Sequence, residues 1–203
     1  EEAGHQVDTT TVSQSQLANY INEQQIEVVL VRSATEIKEA IIDQCPSIRV
    51  IGRGGVGMDN IAVDYAISKG IKVINTPDAS ARAVAELSFA HLLSGARFLY
   101  DANRNMPLEG DTHFKDLKKS YATGIELKGK TLGIFGFGNI GQETAKLGLS
   151  MGMNVLFFDP EIKSISLELE FFNGKKISFP LEGSSRESVL KESDFISLHV
   201  PSQ

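Results

Sequence analysis

Residues 130–160, KTLGIFGFGNIGQETAKLGLSMGMNVLFFDP, read as a strand, a glycine turn, a helix and a second strand that ends on an acid. Thr131 to Phe135 is a short apolar run, Asn139 to Ser150 a helical stretch, and Asn154 to Phe158 the next apolar run, closed by Asp159. Between the first two, Gly136, Gly138 and Gly141 give G-x-G-x-x-G. Each part has a task in holding a dinucleotide. Gly136 permits a tight turn, Gly138 lets backbone approach a pyrophosphate, and Gly141 lets helix and strand pack closely. The helix N-terminus offers unpaired N–H groups and a partial positive charge to phosphates. Asp159 is placed to accept hydrogen bonds from a ribose diol. A glycine triplet alone is common turn chemistry; the strand before it and the acid after it make the spacing specific for NAD.

Outward from this unit, strands and helices continue to alternate. Glu27 to Val31 and Arg49 to Ile51 are apolar runs separated by a helical stretch, Glu36 to Asp43; Asn60 to Lys69 is a helix stopped by Gly70, and Ile71 to Ile74 a third strand. This rhythm indicates a parallel α/β layer, and at 203 residues the chain could make one large domain or two small ones. One long helix follows over residues 80–104, ended by Pro107. Its apolar residues (Val84, Leu87, Phe89, Leu92, Leu93, Phe98, Leu99) cover more than one face, which predicts burial on several sides, as in a helix that links domains and packs on a partner subunit. Met106 to Leu127 reads as polar and irregular. Ser164 to Pro180 alternates apolar and polar residues on both sides of Asn173-Gly174. That pattern predicts a hairpin with a tight primed turn at the margin of the domain that holds the glycine turn, a decoration rather than a site. Ser184 to Glu192 reads as a short helix, and Asp194 to Val200 as a closing strand.

Composition narrows the classes. With 41% hydrophobic and 23% charged residues in a chain of 203, this is an ordinary globular composition. A net charge of −6 argues against nucleic acid as a partner, and leaves anionic ligands to be attracted by local cations. No apolar run approaches a membrane span, and one cysteine, Cys45, permits no internal disulfide; both suit a cytoplasmic protein. No grouping of residues suggests a metal site. Both ends have the look of a cut chain, with sheets left unfinished, so we expect a piece of something longer.

Several stretches together resemble the D-2-hydroxyacid dehydrogenase family: VRSATEI (31–37), IGRGGVGMDNIAV (51–63), VINTP (73–77), AVAEL (83–87), GIELKGKTLGIFGFGNIG (124–141) and DFISLHVP (194–201). The resemblance covers nearly the whole chain in order. It implies an NAD-dependent oxidoreductase of α/β fold with two Rossmann-like or flavodoxin-like parallel-sheet domains, a partial substrate domain over residues 1–78 and a partial cofactor domain over 79–203 that begins with the long helix, and an active site in the cleft between them. The substrate is a small anionic 2-hydroxy or 2-oxo acid, and the assembly a homodimer or higher homo-oligomer. The family's catalytic arginine, glutamate and histidine are expected after Gln203, so no catalytic residue is assigned within this span. Substrate-binding residues carry over as Arg53 with the turn Gly54 to Gly57 (Gly55, Val56 and Gly57 meeting the substrate carboxylate). Arg32 matches a cation that faces the substrate phosphate in the family's phosphoglycerate dehydrogenases. Lys119 is a further phosphate candidate, reaching into a neighbouring subunit. The cofactor-binding set is Gly136, Gly138, Asn139, Ile140, Gly141 and Asp159, with Val200 and Pro201 beside the adenosine.

The resemblance is greatest to the phosphoglycerate dehydrogenases, which turn 3-phosphoglycerate into 3-phosphohydroxypyruvate for serine biosynthesis. A glyoxylate or hydroxypyruvate reductase and a non-catalytic NAD-sensing protein on the same scaffold are the alternatives. Asn139 stands where an arginine is common, Ala62 where an aspartate is, and Ala83 where a serine or threonine is; none of these touches the glycine triplet or Asp159. His91 reads as an interface residue, His199 as a strand-end residue near the cofactor, and Cys45 as structural. The pairs Lys118-Lys119 and Lys175-Lys176 read as solvated charge.

Overall fold

The computed structural model describes residues 4–200, and the chain divides between Ser80 and Ala81 into two compact units. In the first, the strands β1 (Val28–Val31), β2 (Val50–Arg53) and β3 (Lys72–Asn75) form a parallel sheet in that order. The helices α1 (Leu17–Glu23), α2 (Glu39–Gln44) and α3 (Val63–Ser68) alternate with them. The strands pair in register, Val31 with Arg53 and Arg53 with Asn75, so the residues that end each strand share one edge. One core holds the unit: Ile21, Val29, Val31, Ile37, Ile42, Cys45, Ile51 and Ala66 are among its buried members. Cys45 is fully enclosed there, its thiol donating to the Ala18 carbonyl, a packing role.

The second unit opens with α4 (Ala81–Ala96) and α5 (Leu99–Tyr121). The single helix expected over 80–104 is therefore two. Phe98 breaks it by taking left-handed dihedrals (φ 54°), and its ring turns to face Tyr121 across 6.2 Å between centroids. Pro107 does not end the second helix but lies inside α5, and the kink falls later, at His113 (φ −118°). The irregular segment expected from Met106 is thus helical as far as Tyr121, and nothing in the packing of α5, which buries no residue, explains its tolerance of Pro107. Only one stripe of α4 is buried (Ala81, Ala85, Phe89, Ala96), while Val84, Leu87 and His91 are exposed.

Next come β4 (Thr131–Phe135), α6 (Asn139–Ser150), β5 (Asn154–Phe158), β6 (Ser164–Glu170), β7 (Lys176–Glu182), α7 (Arg186–Glu192) and β8 (Phe195–Leu198). The parallel sheet is ordered β5-β4-β8. The chain leaves β4 to one side to build β5 and returns to its other side to build β8. That reversal opens a crevice at the carboxyl ends of β4 and β8, where open α/β sheets take ligands. Phe137 and Phe157 stack at 3.8 Å beneath the glycine turn, inside a core that includes Leu132, Ile134 and Ala145. α7 is capped by Ser185, whose hydroxyl accepts the Ser188 N–H.

β6 and β7 form the expected hairpin, Leu167 opposite Phe179 and Leu169 opposite Ile177. Two details differ. The corner lies at Phe172-Asn173, closed by the Gly174 N–H to the Phe171 carbonyl, and of the Asn-Gly pair only Gly174 is left-handed (φ 76°). The Asn173 side chain accepts the Lys175 N–H, which holds Asn173 out of the left-handed region a primed turn needs. The base of the hairpin is also part of the core: Leu167 is buried within it, and Ile165 and Leu181 pack against it.

Candidate functional site

Unit one gathers the anion-binding candidates at the carboxyl edge of its sheet. β2 ends on Arg53, and the chain then turns through Gly54 to Gly57. The turn is pinned from both neighbouring strands. The Gly54 N–H reaches the Val31 carbonyl, the Thr76 N–H the Gly55 carbonyl, and the Asn75 amide the Val56 carbonyl. The N–H groups of Val56 and Gly57 donate to no described group, so two donors stand free in a fixed turn. The Arg53 side chain is only 11% exposed; it meets the exposed Asp59 at 3.3 Å, and its Nε is buried without a partner. A Cβ on Gly57 would come within 3.0 Å of the Arg53 guanidinium and 3.1 Å of the Asp59 carboxylate, so glycine there leaves the ion pair its room. The backbone N–H at Asp59 and then Arg53 hold the Asp59 carboxyl below its usual range.

Arg32 follows β1 at the same edge, exposed, with no hydrogen bond or ion pair from its side chain to a described group. Its backbone is held by a residue that sequence reasoning passed over. Asn60 is 4% exposed, and its amide donates to the carbonyls of Arg32 (2.9 Å) and Thr35 (2.7 Å). The loop carrying Arg32 is thereby tied to the segment that follows the glycine turn. An asparagine within GMDNIAV carried a signal for this, since a buried amide has to find partners. Lys119 is exposed in the last turn of α5.

Unit two brings most of the dinucleotide set together. Gly136 is left-handed (φ 85°), and a Cβ on it would collide with the His199 carbonyl and press on Val200. A Cβ on Gly141 would strike the Gly136 carbonyl, whereas one on Gly138 would meet nothing within 4 Å. The three glycines thus serve a turn, an open approach and a close packing contact. The N–H groups of Gly138 and Ile140, at the start of the twelve-residue α6, donate to no described group. Asn139 takes the first helical position, Val200 lies half-exposed against the glycine turn, and Pro201 lies outside the described residues.

Asp159 directly follows β5 beside this turn, and its carboxylate is not idle. Oδ2 accepts the Phe137 N–H at 2.7 Å, and Oδ1 accepts those of Glu161 (2.8 Å) and Ile162 (3.0 Å). Burial pushes this carboxyl up; the three N–H donors, with Lys163 nearby, outweigh it and hold Asp159 ionised below its usual range. Each carboxylate oxygen can take about two hydrogen bonds, which leaves Oδ2 with one acceptor position unfilled.

The family model for D-isomer specific 2-hydroxyacid dehydrogenases, catalytic domain, matches residues 1–193. A hydroxypyruvate reductase of Thermotoga maritima is 44% identical over 177 residues, 87% of this chain and 52% of that protein. A D-3-phosphoglycerate dehydrogenase of Methanocaldococcus jannaschii is 38% identical over 201 residues, 99% of this chain and 35% of its own. Among solved structures, the NAD+-bound 3-phosphoglycerate dehydrogenase of Entamoeba histolytica matches with a TM-score of 0.67 and 27% identity, over 100% of this chain and 55% of that one. The chain thus spans between a third and just over half of the length of these relatives. With the family model matching residues 1–193 and relatives 38–44% identical over most of its length, the chain belongs to the D-isomer specific 2-hydroxyacid dehydrogenase family.

Proposed function

We propose that the full-length protein is an NAD-dependent dehydrogenase of D-2-hydroxy acids, and that its substrate carries a phosphate, 3-phosphoglycerate and 3-phosphohydroxypyruvate being the pair that fits. The observation behind this is a division of cations: Arg53 is buried beside a turn with free N–H groups, while Arg32 stands exposed and unpaired at the same sheet edge. A carboxylate suits the first position and a mobile phosphate the second, since a guanidinium pairs two oxygens at once. Gly136, Gly138, Asn139, Ile140 and Gly141 would hold the pyrophosphate of NAD, Asp159 its ribose, and Val200 and Pro201 would flank the adenosine. The open space at Gly138 and the free donors of α6 fit that group. Once bound, the dinucleotide supplies the hydride. The residues of this chain orient the two partners and neutralise the substrate's charge. The exposed apolar residues of α4 and α5 (Val84, Leu87, Leu99, Leu108) support self-association into a homodimer or larger assembly, and the composition suits the cytoplasm.

The hydroxypyruvate reductase relative, at 44% identity, favours a second reading in which the substrate has no phosphate. Steady-state kinetics of the full-length protein with NADH and 3-phosphohydroxypyruvate, hydroxypyruvate or glyoxylate separates the two. Under the first reading Arg32→Ala weakens the phosphorylated substrate about ten- to a hundredfold, the worth of a charge-assisted contact of roughly 1.5–3 kcal/mol, and spares glyoxylate. Equal losses for both substrates would remove the phosphate assignment and leave the reductase.

A further inference from the structure

His199 looks at first like the residue where a strand happens to end. Its surroundings are more specific. Its N–H donates to the Phe135 carbonyl at 2.7 Å, and its own carbonyl occupies the place a Cβ on Gly136 would need. Its ring turns inward, with Nε2 lying 3.1 Å from Thr144 Oγ1 and 2.9 Å from Ser197 Oγ. Thr144 is 1% exposed, in the second turn of α6, and its hydroxyl donates to the Ile140 carbonyl at 2.8 Å.

One tautomer satisfies every contact. A threonine hydroxyl has one hydrogen, and here it goes to Ile140, so towards His199 the oxygen can only accept. With the ring proton on Nε2, the imidazole can share it between Thr144 and Ser197. Burial lowers the affinity of this imidazole for a second proton, which keeps it neutral and the arrangement intact at physiological pH. The link runs from the end of β8 through His199 and Thr144 to Ile140, whose N–H at the start of α6 donates to no described group and is one of the donors proposed above for the pyrophosphate. It locks the strand end carrying Val200 to the first turn of the cofactor helix.

We infer that His199 and Thr144 form a positioning pair that holds the two walls of the dinucleotide crevice, the glycine turn with α6 and the end of β8, at the spacing the cofactor needs. The pair touches neither reacting atom; its role is in affinity for the dinucleotide, and it rests on the NAD site proposed above.

The test uses the full-length protein, with NADH as probe, followed by fluorescence titration and steady-state kinetics. His199→Ala and Thr144→Val should each raise the NADH dissociation constant about three- to tenfold, the worth of one buried hydrogen bond. The loss should fall on KM for NADH rather than on kcat. His199→Gln, which returns a donor near the position of Nε2, and Thr144→Ser, which keeps the hydroxyl, should recover most of it. The double variant His199→Ala/Thr144→Val should lose no more than either single one, because one link is broken only once. If His199→Ala does not fold, the Thr144→Val and Thr144→Ser comparison decides. Unchanged NADH affinity in the Ala and Val variants, a loss shared equally by kcat, or failure of the Gln and Ser variants to recover it would overturn the inference while leaving the NAD site standing. No binding of NADH by the unmodified protein would overturn both.

Discussion

Replacing Asp159 by alanine removes three backbone hydrogen bonds and the proposed ribose contact at once, and their separation gives the expected result its size. Oδ1 holds the Glu161 and Ile162 N–H groups of the turn after β5, Oδ2 holds the Phe137 N–H of the glycine loop, and the vacant position on Oδ2 is the one a ribose hydroxyl would fill. Loss of a charge-assisted bond to the ribose costs about 1.5–3 kcal/mol, or roughly ten- to a hundredfold in NADH affinity. For NADPH the account reverses. A carboxylate and a 2′-phosphate about 4 Å apart repel by roughly 4 kcal/mol at an effective dielectric of 20, and Pro160 and Glu161 follow Asp159 where an NADP enzyme would offer an arginine. Asp159→Ala should therefore weaken NADH by one to two powers of ten, relieve the penalty on NADPH, and narrow a strong NADH preference mainly through the first effect. Dissociation constants for both dinucleotides, measured by titration alongside thermal melts, check it. Asp159→Asn is the informative companion, because it keeps an acceptor for the Phe137 N–H while removing the charge. Comparable efficiency with NADH and NADPH in the unmodified protein, or unchanged NADH affinity in a folded Asp159→Ala variant, would show that this carboxylate does not face the ribose.

Three further outcomes follow from the same contacts. Gly133→Ala should destabilise the second unit by about 1–3 kcal/mol, because the added Cβ would overlap Ser193 Oγ and Val189 where α7 crosses β4; denaturant unfolding measures it, and an unchanged midpoint would refute the packing argument. Asn60→Ala should raise KM for the substrate and lower stability by a few kcal/mol, since it strips the Arg32 and Thr35 carbonyls of their buried donor; a variant with KM unchanged would show that the Arg32 loop holds itself. Stability should rise with pH across two windows. Both Asp159 and His199 bind protons less readily when folded, so the unfolded chain takes up the extra proton in each window. The His199 contribution is complete above its ordinary 6.5 and lost as pH falls through its lower folded value; that of Asp159 is complete above 3.8 and lost below. Melts across pH should lose the upper step in His199→Gln and the lower in Asp159→Asn, and steps that persist in those variants would reassign them.

The strands were legible because their apolar runs are short, bounded by turn residues and spaced by helical stretches. The glycine helix, Asn139–Ser150, was legible to the residue because its start is set by the glycines themselves. The break at Phe98 was not, since no propensity marks a phenylalanine for left-handed dihedrals; the contact with Tyr121, distant in sequence, accompanies it. Pro107 misled for the opposite reason, a strong local rule that α5 does not obey. In the site, Gly136, Gly138, Gly141 and Asp159 could be named from their spacing, and Arg53 with the Gly54 to Gly57 turn from the family resemblance. The Asn60 latch, the Thr144 to His199 link and the hold of Asp159 on Phe137 join residues 22 to 55 positions apart, and only the fold brings them together.

The most direct measurement of the whole account follows the full-length protein with NADH and 3-phosphohydroxypyruvate, reading NADH loss and the configuration of the product together. One NADH should be consumed for each 2-hydroxy acid formed, the D enantiomer alone, with little turnover of NADPH. An L product, or no NADH consumption with any 2-oxo acid by protein shown to be folded, would contradict it.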